Sequence, residues 1–217
     1  AEANFAATWR LMEHGPVAAL LPNYMQAPGI VESFGGKVLP VPLLEGENWQ
    51  PDLGALREAL EAGARSILVT HPNNPTGVAL TEESLRGIVE IAGEAEAWIL
   101  SDEVYRGAEL SGIESASFWG TYPRVLVAGS LSKAYGLPGL RVGWLVGPPE
   151  FVDDLWARKD YTTIAPATLS DTLARVALRP ENRPAVLART RGILRENLPV
   201  VESWAAQRPG EFAFQPP

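Results

Sequence analysis

Lys133 and its neighbours carry the groups best suited to chemistry, in the run Ser130-Leu131-Ser132-Lys133-Ala134-Tyr135-Gly136-Leu137-Pro138-Gly139-Leu140-Arg141. Lys133 lies outside any run of charge, which separates it from a lysine on an ordinary solvated face. A lysine amine attacks carbonyl carbon only when unprotonated. Burial and a neighbouring cation favour that form, and Arg141 is the candidate cation. Ser130, Ser132 and Arg141 are suitable donors for a phosphate beside such an amine, since two hydroxyls and a planar guanidinium match its oxygens. Ser130 to Lys133 also satisfies the Ser-x-x-Lys pattern of serine acyl-enzymes, but the accompanying Ser-Asp-Asn and Lys-Thr-Gly motifs are missing.

These residues need a strand to aim them. Val125–Ala128 is apolar and leads into Gly129, and Val142–Val146 resumes after the turn. Short apolar runs bounded by glycine read as buried strands. The lysine turn then sits at a strand's C-terminal end, where open α/β sheets bind ligands.

Three other strands end in the same way. Val17–Leu21 runs into Pro22-Asn23-Tyr24, an aromatic that either stacks on a flat heterocycle or is ordinary core or surface. Ser66–Thr70 runs into His71-Pro72-Asn73-Asn74-Pro75-Thr76-Gly77, a turn fixed by two prolines and a glycine. The Asn74 amide can donate to an anionic oxygen, although Asn-Pro is also a common turn starter. His71 reads as a turn residue. Ala97–Ser101 runs into Asp102-Glu103-Val104-Tyr105. A carboxylate there can keep a pyridine nitrogen protonated, or merely cap a helix.

Helices fill the intervals. Ala1–Met12 reads as one, with Phe5, Thr8, Trp9 and Met12 at helical spacing, and it lacks a preceding cap. Others are expected at about 26–35, after the Asp52 cap, from Thr81, and over 150–160 and 166–178. A long helix over about 183–207 should be kinked or broken in two at Pro199. An extended segment, 211–217, ends the chain. Strands alternating with helices give an α/β fold, a three-layer sandwich around a mostly parallel sheet.

The composition excludes several classes. The chain has 217 residues, 46% hydrophobic and 20% charged, enough for one sizeable core. Its 18 basic and 26 acidic residues leave a net charge of −8 with no basic cluster, which argues against nucleic acid or an anionic membrane as partner. There is no cysteine, hence no disulfide, thiol nucleophile or zinc–thiolate site, and two histidines make a His-based metal site improbable. No apolar run approaches the roughly 20 residues of a membrane-spanning helix, so a cytoplasmic location is expected.

Ser-Leu-Ser-Lys-Ala-Tyr-Gly-Leu-Pro-Gly-Leu-Arg-Val-Gly-Trp resembles the cofactor-lysine segment of class I/II aminotransferases, the fold-type I pyridoxal-phosphate enzymes. Asn-Asn-Pro-Thr-Gly, Asp-x-x-Tyr and Pro-x-Tyr occur in the same order as in that family. The resemblance implies pyridoxal 5'-phosphate, bound to Lys133 as an internal aldimine. It implies Asp102 as partner of the ring nitrogen, Asn74 and Tyr105 at the phenolic oxygen, and Tyr24 stacked on the ring. It also implies a phosphate held by Ser130, Ser132, Arg141 and the backbone at Ala1 and Glu2. The reaction implied is amino-group transfer between an amino acid and a 2-oxo acid by a homodimer. Elimination, cyclisation or decarboxylation on the same cofactor are the alternatives, and an aminotransferase-like regulator domain is a third. Family members are far longer. Residues 1–217 are therefore expected to be the cofactor-binding large domain, without the small domain toward which the long helix leads, and not to transfer amino groups alone.

Overall fold

The computed structural model describes all residues except Phe212, Ala213, Pro216 and Pro217. The described residues form a seven-stranded sheet in the order β3-β2-β1-β4-β5-β6-β7. The strands are β1 (Val17–Leu21), β2 (Val38–Leu44), β3 (Gln50–Pro51), β4 (Ser66–Thr70), β5 (Trp98–Asp102), β6 (Val125–Ser130) and β7 (Gly143–Val146). β1, β2, β4, β5 and β6 are parallel, while β3 and β7 run antiparallel at the two edges. The helices are α1 (Glu2–Leu11), α2 (Gln26–Ser33), α3 (Leu53–Glu61), α4 (Glu82–Glu94), α5 (Pro149–Lys159), α6 (Thr168–Ala177) and α7 (Arg183–Ala206).

Side-chain alternation along the strands sorts the apolar residues onto two faces. Ala18, Leu20, Ile67, Val69, Ile99, Val125 and Val127 pack with Leu56 and Leu60 of α3 and Leu85, Ile88 and Ile91 of α4. The other face presents Val17, Ala19, Leu68, Leu100 and Leu126 to Ala7 and Leu11 of α1, Val31 of α2, and Phe151 and Leu155 of α5. This is the expected three-layer sandwich with a mostly parallel sheet. The capping positions are the expected ones: Asp52 accepts from the Ala55 N–H at 2.9 Å, and Thr81 accepts from the Ser84 N–H at 3.1 Å. Gly129 permits a close approach, since a Cβ there would lie 2.3 Å from the Trp144 ring of β7.

Two expectations need amendment and a third lies mainly outside the described residues. The buried stripe of α1 is Asn4, Ala7, Thr8 and Leu11, whereas Phe5 and Trp9 form an aromatic cluster with Phe34. α7 is not broken in two, because it continues as a single helix through Pro199. Pro199 is exposed, so loss of one N–H in a 24-residue ladder leaves a carbonyl that water can reach. The extended segment expected at 211–217 falls mainly on Phe212, Ala213, Pro216 and Pro217, outside the described residues. No helix among the described residues is long and apolar enough to cross a membrane.

Candidate active site

Asp102 closes β5, and the strand register sets Thr70 of β4 on one side of it and Ala128 of β6 on the other. The C-terminal ends of the central strands are thereby brought level. Asp102 is 9% exposed. Its Oδ2 accepts from the Asn4 amide at 2.6 Å and its Oδ1 from the Val104 N–H at 3.1 Å. Burial pushes the Asp102 carboxyl above the usual range. The Asn4 amide, the Val104 N–H and the positive charge of Lys133 pull it back without overcoming desolvation. Such a carboxylate is a place for a further cation, and the unpartnered buried Oδ1 of Asn4 can take a further donor.

Tyr24 follows β1 and is half exposed. Asn23 fixes the turn: its Oδ1 accepts from the Tyr24 N–H and from the Thr70 hydroxyl, both at 2.6 Å. Tyr24, Asn23, Asn4, Thr70 and Asp102 line one cavity, so the aromatic and the carboxylate share a wall. In the turn after β4, Asn73 donates to the Pro22 carbonyl at 3.2 Å and to the Thr76 hydroxyl at 3.0 Å. Asn74 is thereby held with its amide donating to the Tyr105 hydroxyl at 3.3 Å. The Lys133 Nζ lies 5.8 Å from the centre of the Tyr105 ring.

The turn after β6 is built on hydroxyls. The Ser130 hydroxyl donates to that of Ser132 at 2.9 Å and accepts from the Ser132 N–H at 3.0 Å. Arg141 reaches over it, donating to the Ser132 hydroxyl at 3.4 Å and to the Pro138 carbonyl at 2.9 Å. Lys133 itself is exposed, not buried as its chemistry suggested. The turn packs through Leu131, Ala134 and Tyr135, which leaves the amine on the open end of the sheet.

Ala1 is brought to this end of the sheet by α1, whose Asn4 bonds to Asp102. The Glu2 side chain turns elsewhere. Desolvation would raise its carboxyl, but hydrogen bonds from the Thr162 and Thr163 hydroxyls, the Thr163 N–H and Lys159 outweigh it and hold Glu2 at about 2. Only the Glu2 backbone remains available for an anion at the start of α1. His71 is a structural pin as well as a turn residue: its Nδ1 accepts from the Leu80 N–H at 3.0 Å, so Nε2 donates to the Ala116 carbonyl at 2.9 Å. Burial lowers its pKa, in keeping with the neutral ring.

Asn4, Asn23 and Glu103 escaped the sequence reading. Asn4 could have been found as a polar residue in register with Ala7, Thr8 and Leu11 on the inner face of α1. The assembled donors suit one kind of ligand. A flat heterocycle with a cationic ring nitrogen would suit Asp102 and Tyr24, an anionic ring oxygen would suit Asn74 and Tyr105, and a phosphate would suit Ser130, Ser132 and Arg141. A carbonyl carbon would lie within the reach of Lys133.

Comparison with known proteins identifies the family. The family model "Aminotransferase class I and II" matches residues 1–201. Capreomycidine synthase of Streptomyces vinaceus is 32% identical over 194 residues, 89% of this chain and 49% of that protein. Aromatic-amino-acid aminotransferase 2 of Thermococcus litoralis is 32% identical over 168 residues, 75% of this chain and 43% of that one. Among solved structures, a PLP-dependent aminotransferase from Streptococcus suis 89-1591 superposes with a TM-score of 0.86 at 36% identity, covering 95% of this chain and 55% of that one. The chain spans about half the length of the curated relatives it matches. With the lysine turn, the buried carboxylate and the fold all in agreement, the chain belongs to the class I and II aminotransferase family, whose cofactor is pyridoxal phosphate.

Proposed function

We propose that the protein transfers an amino group between an amino acid and a 2-oxo acid, with residues 1–217 as its cofactor-binding large domain. The observation that carries this reading is the meeting, at one end of one sheet, of the buried Asp102 that ends β5 and the lysine turn that follows the neighbouring β6. When bound, pyridoxal phosphate supplies an electron sink for a carbanion at the substrate α-carbon. Lys133 would hold the cofactor covalently, and its freed Nζ would be the group that takes the substrate α-proton and returns it. Asp102 keeps the ring nitrogen protonated. Asn74 and Tyr105 donate to the phenolic oxygen, and Tyr24 fixes the plane of the ring. Ser130, Ser132, Arg141 and the backbone at Ala1 and Glu2 bind the phosphate, and the N-terminus of α1 adds its dipole.

The protein acts as a homodimer in the cytoplasm. Exposed Trp156, Tyr161, Leu169 and Leu173 on α5, α6 and the segment between them offer apolar area for a second copy to cover. A second reading keeps the cofactor and changes the reaction to cyclisation, elimination or decarboxylation. It is favoured by the relative named a synthase, which matches over 89% of this chain. Full-length protein incubated with pyridoxal phosphate, a panel of amino acids and a 2-oxo acid should produce a new amino acid, and Lys133→Ala should abolish it. Consumption of an amino acid with no amino acid formed from the acceptor selects the second reading. No reaction with any donor rejects both.

A further inference from the structure

The lysine turn belongs to neither sheet-face core. Its apolar residues Leu131, Ala134 and Tyr135 form a third cluster with Ala174 of α6 and Leu187 of α7. Two arginines of α7 then bond to the turn directly. Arg189 donates to the Gly136 carbonyl at 2.8 Å and to the Tyr135 carbonyl at 3.4 Å. Arg183 donates through Nε to the Tyr135 hydroxyl at 3.0 Å, while its two terminal nitrogens grip Glu114 at 2.6 and 2.8 Å. That bidentate pair leaves the Arg183 fork a single orientation.

The contact is tight enough to dictate sequence. Gly136 has φ +61, and a Cβ there would lie 2.7 Å from Arg189 and 2.9 Å from the Thr190 hydroxyl. The positive φ favours glycine, and any larger residue would also push the Arg189 guanidinium off the turn. The Gly136 N–H closes the turn by donating to the Lys133 carbonyl at 2.8 Å. The peptide group that Arg189 holds is therefore a neighbour of the one that defines the lysine backbone. Arg195, six residues further along α7, bonds instead to the Leu110 carbonyl at 2.9 Å, away from the turn.

We propose that Arg183 and Arg189 are positioning residues for Lys133, fixing the direction of its amine through Tyr135 and Gly136. The proposal rests on the reading that Lys133 bonds pyridoxal phosphate. It makes the amine's aim depend on the seating of α7 rather than on the sheet beneath. A misplaced nucleophile reacts slowly even where the cofactor is still bound.

The test uses the full-length protein with added pyridoxal phosphate, borohydride trapping, peptide mapping, and titration of the visible band with pH. Arg189→Gln should slow trapping at Lys133 about tenfold and move the pH at which the band changes, with the melting temperature close to that of the parent. Arg189→Lys, which keeps one donor, should recover part of the rate. Arg195→Gln should behave as the parent. Should Arg189→Gln fail to fold, Arg189→Lys and Arg183→Lys still report on the turn, and trapping at the parental rate in both overturns the proposal. Parental trapping and titration in Arg189→Gln overturn it as well, as does equal slowing in Arg195→Gln. If the parent protein itself gives no adduct at Lys133, the reading of the site fails and this inference falls with it.

Discussion

Asp102 and Glu103 are consecutive carboxylates, 9% and 7% exposed, and desolvation pushes both above the ordinary range. Their surroundings differ. The Glu103 Oε1 accepts from the Ser101 hydroxyl at 3.3 Å, the Ser117 hydroxyl at 3.0 Å and the Phe118 N–H at 3.0 Å. All three donors come from within 15 residues, so Glu103 clasps its own loop and seats Phe118 in the core of one sheet face. Asp102 accepts from Asn4, 98 residues away, and from Val104, and it shares a cavity with Tyr24. Burial alone does not mark a functional carboxylate. What distinguishes Asp102 is long-range assembly and a cavity shared with an aromatic, next to a lysine whose charge it feels.

The largest effect that can break this comparison is on turnover. Asp102→Asn in the full-length protein should lower kcat/KM for amino transfer by about 10²–10³-fold, the cost of losing one preorganised electrostatic contact. Its melting temperature should not fall, since a buried charge is removed. A variant of near-parental activity would make Asp102 as structural as its neighbour. Glu103→Ala should show the reverse, with unfolding free energy lower by about 2–3 kcal/mol because three donors lose their acceptor. Activity per folded molecule should be largely kept, and denaturant titration beside kinetics separates the two.

pH sharpens the contrast. A carboxyl raised on folding holds a proton that the unfolded chain has lost. Its contribution is complete below the ordinary value, 3.8 for Asp102 and 4.5 for Glu103, and is lost as pH rises through the raised folded value. Glu103→Gln should flatten the stability profile above 4.5, and Asp102→Asn above 3.8. Added pyridoxal phosphate should flatten it at Asp102 alone, because on the proposed reading only there would a ring nitrogen supply a cation. Thermal melts across pH 4–8, with and without cofactor, decide this.

The smallest effect concerns Glu2, whose side chain lies outside the site. Held at about 2, it contributes stability above its ordinary 4.5 that is lost as pH falls through about 2. Glu2→Gln should weaken the clasp on Thr162 and Thr163 by less than about 1 kcal/mol, because the pair with Lys159 is partly exposed. Faster proteolysis between α5 and α6 would register it, with cofactor affinity unchanged.

Much of the fold could be read from the sequence because each central strand is an unbroken apolar run followed by turn residues. Tyr24, Asn74, Asp102 and Lys133 could be located for the same reason, since each stands where a strand stops. Glu103 could not, because nothing local tells a buried acceptor from a solvated one, and Asn4 shows only as a polar residue in register with the inner face of α1, its partner lying 98 residues away. Glu2 was read from its place at the head of α1, but its side chain follows the hydroxyls of Thr162 and Thr163. Pro199 was given the weight it has in a buried helix, whereas on an exposed one the lost bond is tolerated.

The account's central claim is that Lys133 and Asp102 face one cofactor. The most direct test is to add pyridoxal phosphate to the full-length protein, reduce with borohydride, and map the modified peptide in the parent, Asp102→Asn and Glu103→Gln. The account predicts an adduct on Lys133 in all three, with cofactor affinity lowered only by Asp102→Asn. Modification of another lysine in the parent, or equal affinities in all three, would contradict it.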